Sequence, residues 1–251
     1  MSNTVILQSF RDYDVPGWVR SCQDSVKRYA AENDWDYKYM GDEFFDWAPR
    51  WAREALKGNP ACTMSDICRL EWIKQSLLQY KKAIWADIDL LIVDPRHVRL
   101  DLNRSYGFSY ELYFDDDNTA HHGINNAFMF FQRGSSMLSV YLERCYEVLR
   151  QRGDGAAVAR TAIGPDLVRS LNVPESHVIH GLNILNFPAL YLIHKDPRKR
   201  IPDYIRARMG RPLGGANLCL NERPLPPDND RFFFDEVADD VVRHLLRPPP
   251  G

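Results

Sequence analysis

The sequence predicts an α/β fold: a mostly parallel central sheet flanked by helices, with a loop-rich C-terminal wrap. Three observations predict it. The chain opens strand, helix, strand, at residues 4–8, 19–33 and 36–40. A second helix-to-strand step follows, from residues 66–80 into the apolar run Ala83-Ile84-Trp85-Ala86. That run is apolar without alternation, the pattern of a strand covered on both faces, as in parallel sheets. Alternating helices and strands in this order return each crossover to the same sheet.

Taken in order, Val5-Ile6-Leu7 gives a short buried first strand, and Pro16-Gly17 is turn material with Pro16 placed to open a helix. In that helix Val19, Cys22, Val26, Tyr29 and Ala30 share one face. Asp36-Tyr37-Lys38-Tyr39-Met40 alternates as a second strand. Residues 43–59 are aromatic and helical in part, stopping at Gly58-Asn59-Pro60. Thr63 or Ser65 is expected to cap the next helix, with Asp66 in its first turn, where a negative charge is favoured. Further strands are expected at 105–110 and 126–131 around a polar excursion. An amphipathic helix at 137–150, stopped at Gly153-Asp154-Gly155, and a helix at 166–171 after Gly164-Pro165 come next. The proline-rich last eighty residues read as loops over the core, closed by a helix at 234–246. One domain over 1–246 with a frayed Pro-rich tail at 247–251 is the expected organisation.

Composition excludes several classes. With 32 basic against 34 acidic residues and no basic block, nucleic acid is not an expected partner. The five cysteines form no CxxC pair, and an odd number argues against a disulfide framework. No apolar stretch nears the roughly 20 residues of a membrane span, and no secretory leader opens the chain. A cytoplasmic protein is expected, attachment to a membrane surface being left open.

The chemistry-bearing stretch is Asp87-Ile88-Asp89, two carboxylates where the buried strand ends and before a second apolar run, Leu90-Leu91-Ile92-Val93. Open α/β sheets bind ligands at the carboxyl ends of their strands. Acids confined there suit a hard divalent cation, Mn²⁺ or Mg²⁺, gripping the diphosphate of a nucleotide. The competing reading is a pair of surface acids at a sheet edge; the flanking apolar runs favour the functional one. Asp66 and Arg69, at i and i+3, share a helix face. Alone they would read as an intrahelical ion pair. Beside a DxD, the acid can accept from sugar hydroxyls and the arginine can offer its fork of donors.

Ser65-Asp66-Ile67-Cys68-Arg69, a helix, then Ala86-Asp87-Ile88-Asp89 resembles the SDxxR…DxD core of the glycosyltransferases grouped by a DXD-containing sugar-binding region. These are GT-A enzymes related to yeast mannosyltransferases, capsular polysaccharide glycosyltransferases and clostridial glucosylating toxins. The opening Val5 to Gln8, Ile124-Asn125-Asn126, Ile163-Gly164-Pro165 and Ile193-His194 are similar to further segments of that family in the same order. The resemblance implies a metal-dependent hexosyltransferase using a nucleotide diphosphate sugar (UDP- or GDP-sugar) and a glycan, lipid-linked or small-molecule hydroxyl acceptor, with retention at the anomeric carbon. It implies that Asp66 and Arg69 hold the donor sugar, that Asp87 contacts hydroxyls of the donor and helps with the metal, and that Asp89 ligates the metal. His194 is a candidate to complete the metal's coordination, its competing reading being a satisfied histidine at a strand end. Gln8 and Phe10 are expected at the donor, Asn125 and Asn126 at the sugar or acceptor.

Asp115-Asp116-Asp117 with His121-His122 reads as a solvated loop over the site rather than a second metal centre. Trp47 or Trp51 is a candidate for an acceptor groove, the default being core packing. Arg198-Lys199-Arg200, Arg206 and Arg208 read by default as a solvated face, with steering of an anion as the functional alternative. Two rival functions stay open: a sugar nucleotidyltransferase, which needs a glycine-rich loop after the first strand, and a non-catalytic nucleotide-sugar-binding module.

Overall fold

The computed structural model describes residues 2–247 except 116, 118, 152–156, 197, 199, 211 and 224–229, together with all but the side chains of 201, 202, 208 and 209. The glycine stop at 153–155, Asp116, Lys199, the Arg208 side chain and the tail beyond 247 therefore lie outside the described residues.

The opening is as the pattern predicts: β1 (Thr4–Ser9), α1 (Gly17–Glu32) and β2 (Asp36–Met40). Pro16 stands one residue before α1 with extended ψ, so it caps rather than begins the helix. After α2 (Arg50–Ala55) come α3 (Ala61–Ser76), β3 (Lys82–Ala86) and β4 (Leu90–Ile92). Then follow β5 (Tyr106–Phe114), β6 (Ala120–Gln132), α4 (Ser136–Gln151) and α5 (Pro165–Ser170). The C-terminal part holds β7 (Val178–Ile179), β8 (Leu182–Ile184), α6 (Phe187–Lys195), α7 (Ile201–Met209), β9 (Gly215–Asn217) and α8 (Asp230–Leu245).

Six strands form the central sheet in the order β2-β1-β3-β6-β5-β7. β1 runs parallel to β2 and β3, β6 antiparallel to β3 and β5, and β7 parallel to β5. Only β6 therefore opposes the common direction, and the sheet is mostly parallel. Period-2 alternation with a core on each face explains the unbroken apolar runs of β1, β3 and β6. On β3, Ala83 and Trp85 enter the core beneath α3 and α4, while Ile84 and Ala86 enter the core on the α1 side. On β6, Met129 and Phe131 face the first of these and Phe128 and Phe130 the second.

Three expectations change. α3 begins at Ala61 after Pro60, with no side-chain cap, so Thr63 and Ser65 lie inside it and Asp66 in its second turn. Pro60 has the φ a helix entry needs and no amide to satisfy, and Thr63 is wholly buried, so a start beyond it is not available. The polar excursion is only the tip of a long β5–β6 hairpin, with His121 and His122 already in β6. The C-terminal residues are not mainly loops: β4, β9 and β8 make a second sheet, and α6 packs on α8. Gly181 shows why this sheet tolerates no side chain at one edge. Its φ is +90°, and a Cβ there would stand 1.8 Å from the His97 carbonyl oxygen.

Candidate functional site

The site forms where β3 leaves the central sheet. Asp87, Ile88 and Asp89 make the turn that carries the chain into β4 of the second sheet, closed by the Leu90 amide donating to the Asp87 carbonyl at 3.1 Å. Ile88 is buried in the core between α1, α6 and α8, which fixes the turn and leaves the two flanking acids facing other neighbours. The acids open onto a cleft of about 540 Å³, a size suited to a small-molecule ligand.

A bulge supplies the facing wall. The β5–β6 register slips at Phe108/Ser109, pairing Phe108 with Met129 and then Ser109 with Asn125. Asn126, Ala127 and Phe128 are therefore left out of the β5 ladder, a device common beside active sites. Asn125 holds the distortion: its Oδ1 accepts from the Ala127 amide at 2.7 Å, while its Nδ2 donates to Glu111 at 2.7 Å. The Ala127 carbonyl in turn accepts from the Asp87 amide at 2.7 Å, tying the bulge to the acidic turn.

Arg69 is the hub. Its side chain is 8% exposed, with Nη1 3.1 Å from Asp87 Oδ1 and Nη2 3.3 Å from Asp66 Oδ1. Nη1 also donates to the Asn126 carbonyl at 3.2 Å, and the guanidinium lies over the Trp85 ring at 5.1 Å. Asn126 spends both amide hydrogens inside the wall, on Asp66 at 2.8 Å and on the Tyr141 hydroxyl at 3.1 Å. Trp85 donates its indole N–H to Asp87 Oδ1 at 2.6 Å. Asp89 is held from the other sheet: Asn217 Nδ2 donates to one oxygen at 2.8 Å and the Leu220 amide to the other at 2.6 Å. Cys219, between those partners, has a φ of 52°, a conformation few side chains adopt without a compensating role.

The electrostatics are unbalanced. Burial pushes Asp66 up to about 6, against the pull of Arg69 and the Asn126 amide. Burial and then the neighbouring Asp87 raise Asp89 to about 7, with the Leu220 amide pulling the other way. Asp87 is raised by burial too, though Arg69 and Trp85 oppose it. Burial works against the Arg69 charge, but Asp87 and Asp66 outweigh it and the guanidinium stays protonated. Three carboxylates thus share one buried cation, and the floor of the cleft favours a further positive charge.

Of the residues expected from sequence, Phe10, Asp66, Arg69, Asp87, Asp89, Asn125 and Asn126 all line the cleft. Gln8 does not. It is fully buried, donating to the Asp87 carbonyl at 3.0 Å and accepting from the Tyr37 hydroxyl at 3.0 Å, so it braces the acidic turn from behind. Nor does His194, whose Nδ1 lies 3.1 Å from Asp240 Oδ2. Its residue belongs to α6, an amphipathic helix docked on α8, and that docking turns it away from the cleft. Trp47 and Trp51 are also absent from the lining; the first donates to Met40 Sδ and the second packs edge-on against Tyr146. His121 pairs with Asp115 at the hairpin tip, and neither lines the cleft. Arg206 pairs with Asp203 on α7.

Among the lining residues that sequence reading missed are Asn217, Arg11, Arg160 and Arg223. Asn217 stands 128 positions from the acid it touches, and no local pattern links them.

Among the described residues no group of three or more His, Cys, Asp or Glu forms a ready metal cluster. The donor set nonetheless fits Mg²⁺ or Mn²⁺, which are commonly held by one or two carboxylates plus substrate phosphates. No helix of the described residues is long and apolar enough to cross a membrane.

No family model and no curated protein matches the sequence. Among solved structures, the chain is similar to a glycosyltransferase involved in glycosylation of the major capsid of PBCV-1, at 12% identity and TM-score 0.47, covering 94% of this chain and 99% of that one. It is also similar to mouse xyloside xylosyltransferase 1 in its apo form, at 9% identity and TM-score 0.41, covering 90% and 100%. Likenesses of this depth leave the chemistry to be read from the cleft itself.

Proposed function

We propose that this chain is a metal-dependent glycosyltransferase that moves a hexosyl unit from a nucleotide diphosphate sugar to a hydroxyl acceptor, with retention at the anomeric carbon. One observation carries the reading: buried Asp66 and Asp89, with Asp87 a quarter exposed, gather near a single buried Arg69 at the carboxyl end of a central strand. Such a floor is costly to fold and lacks positive charge, which a divalent cation bound with a diphosphate provides.

Asp89 and Asp87 would hold Mn²⁺ or Mg²⁺, which when bound supplies a positive centre that stabilises the departing diphosphate. Asp66, fixed by Asn126 and Arg69, presents its second oxygen to sugar hydroxyls as an acceptor. Asn125, with Oδ1 and one amide hydrogen committed, keeps its other N–H as a fixed donor toward sugar or acceptor. Phe10 at the end of β1 offers an aromatic face at the cleft wall. Arg69 orients both Asp66 and Asp87, so it positions the donor. Asp66, Asp87 and Asp89 all have binding roles on this reading, which leaves none of them as the nucleophile. That suits a front-face displacement in which the leaving phosphate takes the acceptor's proton. The acceptor is a glycan, a lipid-linked sugar or a small hydroxyl compound. A nucleotidyltransferase would want a glycine-rich phosphate loop after β1, and Ser9-Phe10-Arg11-Asp12 contains no glycine.

The test is thermal denaturation with UDP-, GDP-, ADP- and CMP-sugars, with and without Mn²⁺, on wild type and Asp89→Ala. A donor at a hundredfold its Kd adds about 2.7 kcal/mol, roughly 5–10 °C for a chain of this size. The shift should need metal and vanish in the variant. If no nucleotide sugar stabilises wild type under any metal, the proposal fails.

A further inference from the structure

The lining of the cleft also carries Arg11, Arg160 and Arg223, and the last of these is built in an unusual way. Arg223 lines the cleft with a side chain only 7% exposed. Its Nε lies 2.8 and 3.0 Å from the two oxygens of Asp235, and its Nη2 2.6 Å from one of them. Asp235 is fixed in turn by the Trp18 indole N–H at 2.9 Å. One edge of the guanidinium is thereby locked into α8, while Nη1 has no hydrogen-bond partner among the described residues. Arg160, from the loop before α5, lines the same cleft and donates to the carbonyl of Asn221, two residues from Arg223. Two guanidiniums from separate parts of the chain thus meet at the segment that also holds Asp89 through Asn217 and Leu220.

A buried Arg–Asp pair is weak evidence for stability, since desolvation cancels most of its attraction. As a way of presenting a preorganised donor edge to a ligand it has a purpose. Arginine forks match phosphate oxygens in geometry as well as charge. We propose that Arg223, oriented by Asp235 and assisted by Arg160, is the phosphate grip of the cleft, binding the diphosphate of the donor and the nucleoside diphosphate that leaves. The assignment rests on the glycosyltransferase reading above and adds to it the residues that recognise the anion.

Calorimetric titration of the full chain separates the two. The probes are inorganic pyrophosphate, UDP and GDP with Mn²⁺, and uridine and guanosine, on wild type, Arg223→Gln, Arg223→Lys, Arg160→Gln and Arg223→Gln/Asp235→Asn. Losing a charge-assisted hydrogen bond should weaken pyrophosphate and diphosphate binding about ten- to hundredfold in Arg223→Gln. Arg223→Lys, which keeps the charge but not the fork, should fall between, and nucleoside binding should not change. Because Arg223→Gln strands Asp235, the double variant restores a neutral pair and should show the same loss. If neither Arg223 variant folds, Arg160→Gln must show at least a several-fold loss for the idea to stand. Metal-dependent diphosphate binding that is equal in wild type and every folded variant overturns the grip and leaves the transferase reading intact. Failure of any diphosphate to bind wild type overturns both.

Discussion

Replacing Arg69 by methionine tests the account of the floor, because it removes the cation while filling most of its volume. The guanidinium is 3.1 Å from Asp87 and 3.3 Å from Asp66, and its side chain is 8% exposed. Breaking a buried ion pair from one side costs about 3–5 kcal/mol, and here two acids are stranded together. The loss should depend on pH. Asp66 stands at about 6 in the folded protein, above the ordinary 3.8. An acid with a raised folded pKa favours the folded state when protonated. Its contribution is greatest below about 4 and is lost as pH rises toward and through 6. Arg69 is the main influence holding Asp66 down against burial. Without it, the Asp66 pKa climbs further and the decline with pH continues to higher values.

The variant-to-wild-type gap should therefore be about 3–5 kcal/mol at pH 8. It should narrow at pH 5.5 by about 1.4 kcal/mol for each unit the Asp66 pKa has moved. Urea denaturation at the two pH values measures it, and the difference cancels groups that titrate alike in both proteins. A gap below about 1 kcal/mol, or one identical at both pH values, refutes the claim that Arg69 neutralises buried carboxylates.

Two further predictions concern Asp66. A Cβ at Gly164 would stand 2.8 Å from Asp66 Oδ2, and that carboxylate is pinned by Asn126 and Arg69. Gly164→Ala should cost about 1–3 kcal/mol by overpacking, and titration should show weaker donor binding with metal dependence retained; unchanged donor affinity would mean that Asp66 does not set the sugar site. Asp66→Asn should flatten the stability profile between about pH 4 and 6, where the wild type loses stability with rising pH. A profile with the same slope in both proteins would assign that loss to another group.

The N-terminal half was legible because its signals are local. Val5, Ile6 and Leu7 alternate between two cores, so an unbroken apolar run correctly meant a strand buried on both faces. Asp66 and Arg69 followed by two acids after Trp85 carry a family resemblance that implies four residues at one place, and all four line the cleft. What stayed hidden depends on long-range contact. β8 and β9 have three residues each, too few for any period; β9 pairs with the edge of β4, and β8 with β9. Arg223 looks like any arginine in a proline-rich segment until α8 brings Asp235 to it. His194 misled for the opposite reason. A histidine in the expected order carries a motif's weight in one dimension, yet a helix with one apolar face turns it toward Asp240.

The arrangement of charge bears on how ligands would enter. The acidic turn supplies few oxygens, and those of Asp89 are already drawn on by Asn217 and Leu220. Mg²⁺ or Mn²⁺ demands about six ligands and keeps water where protein oxygens are missing. The floor alone is thus a poor cage, and a cation meeting it without phosphate has little reason to stay. The lining arginine has the mirror problem, since Arg223 is half neutralised by Asp235. A diphosphate that arrives with its cation answers both deficits at once, its oxygens completing the metal and its charge meeting the arginine. Metal and nucleotide should then strengthen each other's binding by the same factor, as linkage requires. On the proposed reading, a floor short of positive charge and a lining arginine half neutralised by Asp235 would suit a ligand that is itself a cation–anion pair.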